Sequence, residues 1–346
     1  MTDSNSSTFD ASFPTPVDLD RVRNIFHTLP YHFIDDDDRV LVPQSQHFST
    51  VYFGDEAGLC LSVLSQIRMP LEMFTINEVA RAITLWNAEY LGATALLHMT
   101  DEGSIEVRFR CSISVEEGLG AQQLEKFLTS ALGATEMAVN FMIERFGDLL
   151  INGKGADELR EVQDVILSSQ EIPGLLVPMD INAEAEEYED FQEDDDVESE
   201  HQIQAVTLKR VNDLLVEKGI SFTTGDKEFL GAWINEVFIG FVVDNGPTLV
   251  IKGDWDPNLD PARDFMKVFM TCNQHNERAL LTKAFCHENS DGLQVRVEFS
   301  IVVGEGLSTI QLRRNIDLAI HHILMAIDTL SREITGETAV NWPLED

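Results

Sequence analysis

Three stretches of this sequence carry side chains of types and spacings that could do chemistry. "DWDPNLD" places Asp254, Asp256, Asn258 and Asp260 on alternate positions, the oxygen donors of a calcium loop. Such a loop needs glycine at its sixth position and a bidentate glutamate at its twelfth, where this chain has Leu259 and Phe265. Asp260 before Pro261 reads instead as a helix start, an N-cap residue followed by a proline at the first helical position. "VGEGLST" (303–309) imitates a dinucleotide-binding loop, but Thr309 replaces the third glycine and the stretch ends a hairpin rather than opening a β-α-β unit. "DDDD" (35–38) has no ligand partner near it in sequence and reads as a charged turn.

The remaining reactive side chains are scattered. His98 and His287 fall at matching places before two hairpin turns, where a histidine needs no metal to account for it. His321 and His322 are adjacent on a helix, diverge, and cannot chelate together. Cys60, Cys111, Cys272 and Cys286 stand singly in apolar stretches, so each reads as a small buried hydrophobe. No nucleophile elbow, P-loop or H-E-x-x-H occurs. The reading is a non-enzyme with no catalytic residues, no cofactor and no metal.

Charge narrows the partners. The formal net charge is −36, and the excess sits between the two halves: residues 147–205 hold eighteen acids against two bases. Nucleic acid and anionic membrane are repelled by such a chain, since both are bound through clustered Lys and Arg. No apolar run approaches the length of a membrane span, and "MTDSNSSTFDASFPTP" lacks the apolar stretch of a signal peptide. The expectation is a soluble, cytoplasmic protein.

The elements that would position these residues occur twice. "VDLDRVRNIF" (17–26) matches "VTLKRVNDLL" (206–215), both with helical apolar spacing after Asp or Thr. Three alternating segments follow in each copy: "RVLVPQ", "STVYFG" and "GLCLSVLSQI", then "EFLGAWI", "VFIGFVV" and "TLVIKGDW". A second helix comes next, with a capping box at Thr75 and Glu78 in the first copy, and each is expected to run out at an asparagine, Asn87 or Asn273. A hairpin and a third helix close each copy. The hairpins' second strands alternate, Ile105, Val107, Phe109, Cys111 and Ile113 against Leu293, Val295, Val297, Phe299 and Ile301, as in an antiparallel sheet with one buried face.

The sharpest repeat is the joint from that strand to the last helix, "SISVEEGLGAQQLEKF" and "SIVVGEGLSTIQLRRN". Gly118 and Gly306 permit a sharp exit from the strand. Ser308 with Gln311 forms a capping box, and Gly120 with Gln123 its counterpart; Leu119 with Leu124 and Leu307 with Leu312 are spaced as hydrophobic staples. These residues read as structural joints. On the last helix Ile316, Ile320, Ile323 and Ile327 make an apolar stripe that packs on one sheet and its neighbouring loops or, as candidate inter-repeat contacts, on its own sheet and on the other repeat.

The order α-β-β-β-α-β-β-α, with two Gly-Leu-x-x-x-Gln-Leu joints, resembles the YbjN family of bacterial proteins. The resemblance covers about three quarters of the chain. It implies an α+β fold of two tandem domains like type III secretion chaperones, each an antiparallel sheet packed by helices, and a sensory or regulatory role without catalytic residues. The expected organisation is a disordered leader (1–16), a first domain (17–146), an acidic linker with a short helix (147–205), a second domain (206–335) and a tail (336–346). In the linker "ADELREVQDVILSS" is helical in pattern, "EIPGLLVP" is an apolar strip, and residues 180–200 hold twelve acids and no base. The function expected is a chaperone-like or adaptor-like module binding an extended segment of a client or regulatory protein. The alternative is a sensor taking a small ligand between the repeats. By analogy with secretion chaperones the copies form an intramolecular pseudo-dimer or a homo-oligomer.

Overall fold

The structure, a computed structural model, describes residues 13–54, 59–151, 200–220, 222–224, 229–244, 248–289 and 292–342. The expected linker helix, the "EIPGLLVP" strip and all but the last residue of the acidic run lie outside the described residues.

The first repeat runs α1 (Leu19–Phe26), β1 (Ile34–Asp36), β2 (Arg39–Pro43), β3 (His47–Phe53), β4 (Cys60–Ile67), β5 (Leu71–Glu72), α2 (Ile76–Glu89), β6 (Thr94–Met99), β7 (Ser104–Ser114) and α3 (Ala121–Ile151). The second runs α4 (Leu208–Glu217), β8 (Phe222–Thr224), β9 (Leu230–Ile234), β10 (Val237–Val243), β11 (Thr248–Leu259), α5 (Pro261–Arg278), β12 (Lys283–Asn289), β13 (Gly292–Val302) and α6 (Thr309–Thr335). Each builds one antiparallel sheet with the same path: β1-β2-β3-β4-β7-β6, and β8-β9-β10-β11-β13-β12. The short β5 extends the line of β4 along β7, as the far end of β11 does along β13 after a bulge. Register repeats too, with Leu61 opposite Ile113 and Leu249 opposite Ile301.

The strand pattern sorts the faces. Ile105, Val107 and Phe109, like Val295, Val297 and Phe299, are buried on the face that carries the helices. Arg108, Arg110, Arg296 and Glu298 alternate with them and point to the opposite face. Asp18 caps α1 and Thr207 caps α4, each side chain accepting the backbone N–H three residues on. Asp260 caps α5 ahead of Pro261.

Several expectations give way to the structure. A fourth strand, β1 or β8, opens each sheet; at three residues each, neither leaves an alternating pattern to read. "DDDD" makes the β1–β2 hairpin, where Arg23 and Arg39 pair with Asp35 and Asp36. Thr75 forms no capping box: a 3-10 turn (Met73–Thr75) leads straight into α2, and the Thr75 hydroxyl donates to the Glu72 carbonyl. Asn87 and Asn273 do not end their helices, which continue to Glu89 and Arg278. Ile323 and Ile327 pack on Gly253 of β11, Ile316 is fully buried, and α6 lies on β11, β13 and α5.

Segments flanking each repeat pack against it. Thr15 pairs with Leu119 and Gln204 with Leu307 through antiparallel backbone bridges, so residues just before 17 and 206 are built into their domains. Arg21 donates to the carbonyls of Thr15, Pro16 and Leu119, and Arg210 does the same for Gln204, Ala205 and Leu307. Helix α3 runs past residue 146, and Val340 of the expected tail is buried.

Candidate functional site

The two repeats meet about a pseudo-twofold axis, and the duplicated joints lie on it. Gly118 (φ 68°) and Gly306 (φ 80°) turn left-handed, and a Cβ at either would stand about 2.5 Å from the carbonyl of Thr15 or Gln204. The helices that follow begin with Gln123 and Gln311 at N3. Gln123 Oε1 accepts the Gly120 N–H at 2.7 Å and Gln311 Oε1 the Ser308 N–H at 2.9 Å; Ser308 completes a capping box. Each amide then reaches across the axis. Gln123 Nε2 donates to the Gly306 carbonyl at 2.7 Å, Gln311 Nε2 to the Gly118 carbonyl at 2.8 Å, and the two amides bond to each other at 3.1 Å. Leu119, Leu124, Leu307 and Leu312 are buried beside them.

Farther from the axis, helices cross between repeats: α2 packs on β12, and α5 on β6. Asn87 clamps the backbone of Ala95 in its own repeat through both amide groups, and Asn276 clamps Ala284 in the same way. Asn273, one turn earlier, applies that clamp across the interface, accepting the Leu97 N–H at 2.8 Å and donating to its carbonyl at 2.7 Å. The inner edge of the first sheet is thereby closed. Its counterpart, Thr84, meets the Cys286 thiol at 3.9 Å. Each sheet also sends a cation to the other repeat's helix end. Arg110, buried, donates to the Asn276 and Ala279 carbonyls at the end of α5. Lys283 donates to the Tyr90 carbonyl after α2 and lies 2.9 Å from Glu298. Both satisfy carbonyls left over at a helix C-terminus, where positive charge is favoured.

Beside Arg110 a cleft of about 450 Å³ opens between the repeats. The outer face of the first sheet supplies Tyr52, Leu64, Leu96, His98, Arg108 and Arg110, and the end of α5 supplies Glu277, Arg278 and Leu280. Phe48, Tyr52, Leu64 and Leu96 form a small buried apolar cluster on that face. His98 bridges the repeats to Glu277 at 3.1 Å, and Arg108 pairs with Glu106 and Gln66. Burial pulls the Arg110 guanidinium down from its usual value and pushes the Tyr52 phenol up. The sequence pattern offers a ligand site between the repeats as an alternative but none of its residues, because the two walls come from positions some 170 residues apart and no local motif joins them.

The other residues weighed for chemistry have structural roles. Asp254 pairs with Arg296, Asp256 accepts the Asn258 N–H, and Asp260 caps α5. His287, partly buried, faces Arg296, and both lower its pKa. The rings of His321 and His322 stand 5.6 Å apart and edge-on. All four cysteines are free, and burial raises the thiol pKa of Cys111 to about 12 and of Cys286 to about 11. Among the described residues no three His, Cys, Asp or Glu are grouped to hold a metal, and no helix is long and apolar enough to cross a membrane.

Comparison with known proteins finds the repeat independently. The YbjN family, described as "Putative bacterial sensory transduction regulator", matches residues 18–144 and again residues 207–332. Among solved structures the chain is similar to one described as "Crystal structure of YbjN, a putative transcription regulator from E. coli". That match has 17% identity, 40% of this chain and 98% of the other covered, and a TM-score of 0.35. No curated protein matches.

Proposed function

The chain belongs to the YbjN family, whose domain it carries twice, and from that premise we propose that it is a non-enzymatic regulatory protein that senses a ligand bound in the cleft between its repeats. The observation that carries this reading is the cleft itself: about 450 Å³, walled by both repeats, polar at Arg108, Arg110 and Arg278 and apolar at Leu64, Leu96 and Leu280. A site built from two bodies is suited to signalling, because a ligand that touches both changes how they are held together. Sheet-edge capture of a client has less to work with. Asn273 occupies the inner edge at Leu97, and the outer edges are the three-residue β1 and β8. With its four cysteines free we place the protein in the cytoplasm.

One observation favours a protein partner as a second reading. Phe229, Phe238 and Trp233 cluster on the outer face of the second sheet with ring centroids 5.4–6.0 Å apart, and Trp233 is 71% exposed. An exposed aromatic group of that kind is a common anchor at protein interfaces.

The test is a metabolite screen by thermal unfolding on the intact chain, repeated on Leu280→Trp, which fills the cleft from the half-buried α5 side. Compounds that raise the melting temperature of the wild type and not of the variant support the reading. A screen without hits, or with hits the variant keeps, refutes it. Affinity capture with wild type and Trp233→Ala decides the second reading: a partner lost with the tryptophan supports it, and equal recovery counts against it.

A further inference from the structure

We infer that the cleft takes a carboxylate carried on an apolar body, with the guanidinium of Arg278 as its counter-ion. This deepens the proposed function and rests on it. The chain has 60 acidic residues against 24 Lys and Arg, yet three arginines and one glutamate line the cleft. Two of the three arginines have established tasks: Arg110 holds the end of α5, and Arg108 pairs with Glu106. Arg278 is different. It is exposed at the last turn of α5, lines the cleft, and has no hydrogen-bond or ion-pair partner among the described residues. Glu277 beside it is occupied by His98. An unpaired guanidinium beside Leu64, Leu96 and Leu280 offers a fork for a carboxylate and a wall for its hydrocarbon.

The positive lining is not imposed by the fold, because the second copy of the same place lacks it. Arg110 sits opposite Leu64 and Thr94 in the first sheet; Glu298 sits opposite Lys252 and Lys283 in the second. Arg278 is two residues beyond the Asn276 clamp, and Glu89 is two beyond the Asn87 clamp. Both arginines thus become glutamates where the other cleft would be. Lys283 and Glu298 neutralise each other there, and Arg296 meets Asp254. One side of the molecule is set for an anion, and the pseudo-equivalent side is charge-balanced.

Two sources of carboxylate are separated by the experiment, a free organic acid and the chain's own acidic run at 180–200. Octanoate, octanamide and octylamine are titrated by calorimetry into the full chain, into Arg278→Gln, and into a full chain whose acids in 180–200 are changed to Asn and Gln. The expected result is binding of octanoate over octanamide and octylamine, weakened about tenfold in Arg278→Gln and reduced by salt. Octanoate that binds equally to both parent chains marks a free acid as the ligand. Octanoate that binds only once the acidic run is neutralised marks that run as the natural occupant. Octanamide or octylamine binding as well as the acid overturns the carboxylate inference while leaving the cleft a ligand site. Failure of all three probes in every chain, together with an empty metabolite screen, overturns both.

Discussion

Replacing Gln311 with Glu separates two accounts of the duplicated joint. If Gln311 only caps α6, glutamate is at least as good: it keeps the acceptor for the Ser308 N–H, and a negative charge in the first helical turn adds about 0.3–1 kcal/mol. The structure gives the opposite sign. Gln311 is 2% exposed, and its Nε2 supplies the Gly118 carbonyl at 2.8 Å and Gln123 Oε1 at 3.1 Å. A carboxylate has no N–H to give, so the Gly118 carbonyl loses its donor, Gln123 Oε1 keeps only the Gly120 N–H, and both face a negative charge. At about 1–3 kcal/mol for one orphaned buried group the loss is about 1–3 kcal/mol. Urea unfolding of the full chain at pH 7.5, followed by circular dichroism, measures it. The pH dependence adds a signature. A buried carboxyl facing acceptors is held above its unfolded pKa, so its penalty grows as pH rises above that value and is relieved in acid. The gap between variant and wild type therefore narrows toward pH 5. A Gln311→Glu chain as stable as wild type at pH 7.5 would show that the contacts across the axis carry no energy.

Three further outcomes follow from the geometry. Asn273→Ala strips both backbone partners from buried Leu97 and costs about 2–6 kcal/mol; a loss under about 0.5 kcal/mol in the same assay would remove the clamp from the interface. Burial first, then nearby positive groups, lowers His47 and His275 from 6.5 to about 4. Between those values the unfolded chain binds more protons, so stability falls with pH, by about 2 kcal/mol per histidine from pH 7 to 5; His47→Gln with His275→Gln should flatten that limb, and an unchanged limb assigns it to other groups. Burial also raises the Cys111, Cys272 and Cys286 thiols, and Cys60 is 2% exposed. A disulfide reagent at pH 8 should leave the native chain unlabelled for minutes and find four thiols after unfolding; fast native labelling would contradict the packing.

The sequence carried the architecture well where the pattern was local. Alternation in β7 and β13, the caps at Asp18, Thr207, Asp260 and Ser308, and the turn glycines are each written within a few residues, and each is where the pattern put it. What failed was any inference that needed to know what lay opposite. Asn87 and Asn273 looked like helix ends because asparagine tolerates that place, but burial turns the same side chain into a backbone clamp. The isoleucines of α6 left two packing partners open, and the pattern did not say that Ile323 and Ile327 would meet Gly253 of β11. One clue at the joints was available. Both N3 positions hold glutamine where glutamate serves a cap equally well, and only the amide can donate across the axis.

Fusing two copies in one chain frees the interface from exact symmetry, and this protein uses that freedom. In a homodimer of a single domain a twofold axis would duplicate every contact: an arginine at the position of Arg278 would appear in two clefts, and an asparagine at that of Asn273 in two clamps. Here the backbone arrangement is twofold while the side chains differ, Asn273 against Thr84, Arg110 against Glu298, Arg278 against Glu89. The clamp and the cationic lining fall on the same side, since Leu97, His98 and Arg110 belong to neighbouring positions of β6 and β7 that meet α5. The consequence is a stoichiometry. A ligand that recognises the arginine-lined cleft binds once per chain, and its occupancy is coupled to the α5–β6 contact rather than to the α2–β12 contact. Calorimetric titration with a cleft ligand should give one site per chain, and hydrogen exchange should show added protection in β6 and the end of α5. Two equivalent sites, or protection spread equally over both crossings, would mean that the side-chain asymmetry has no bearing on binding.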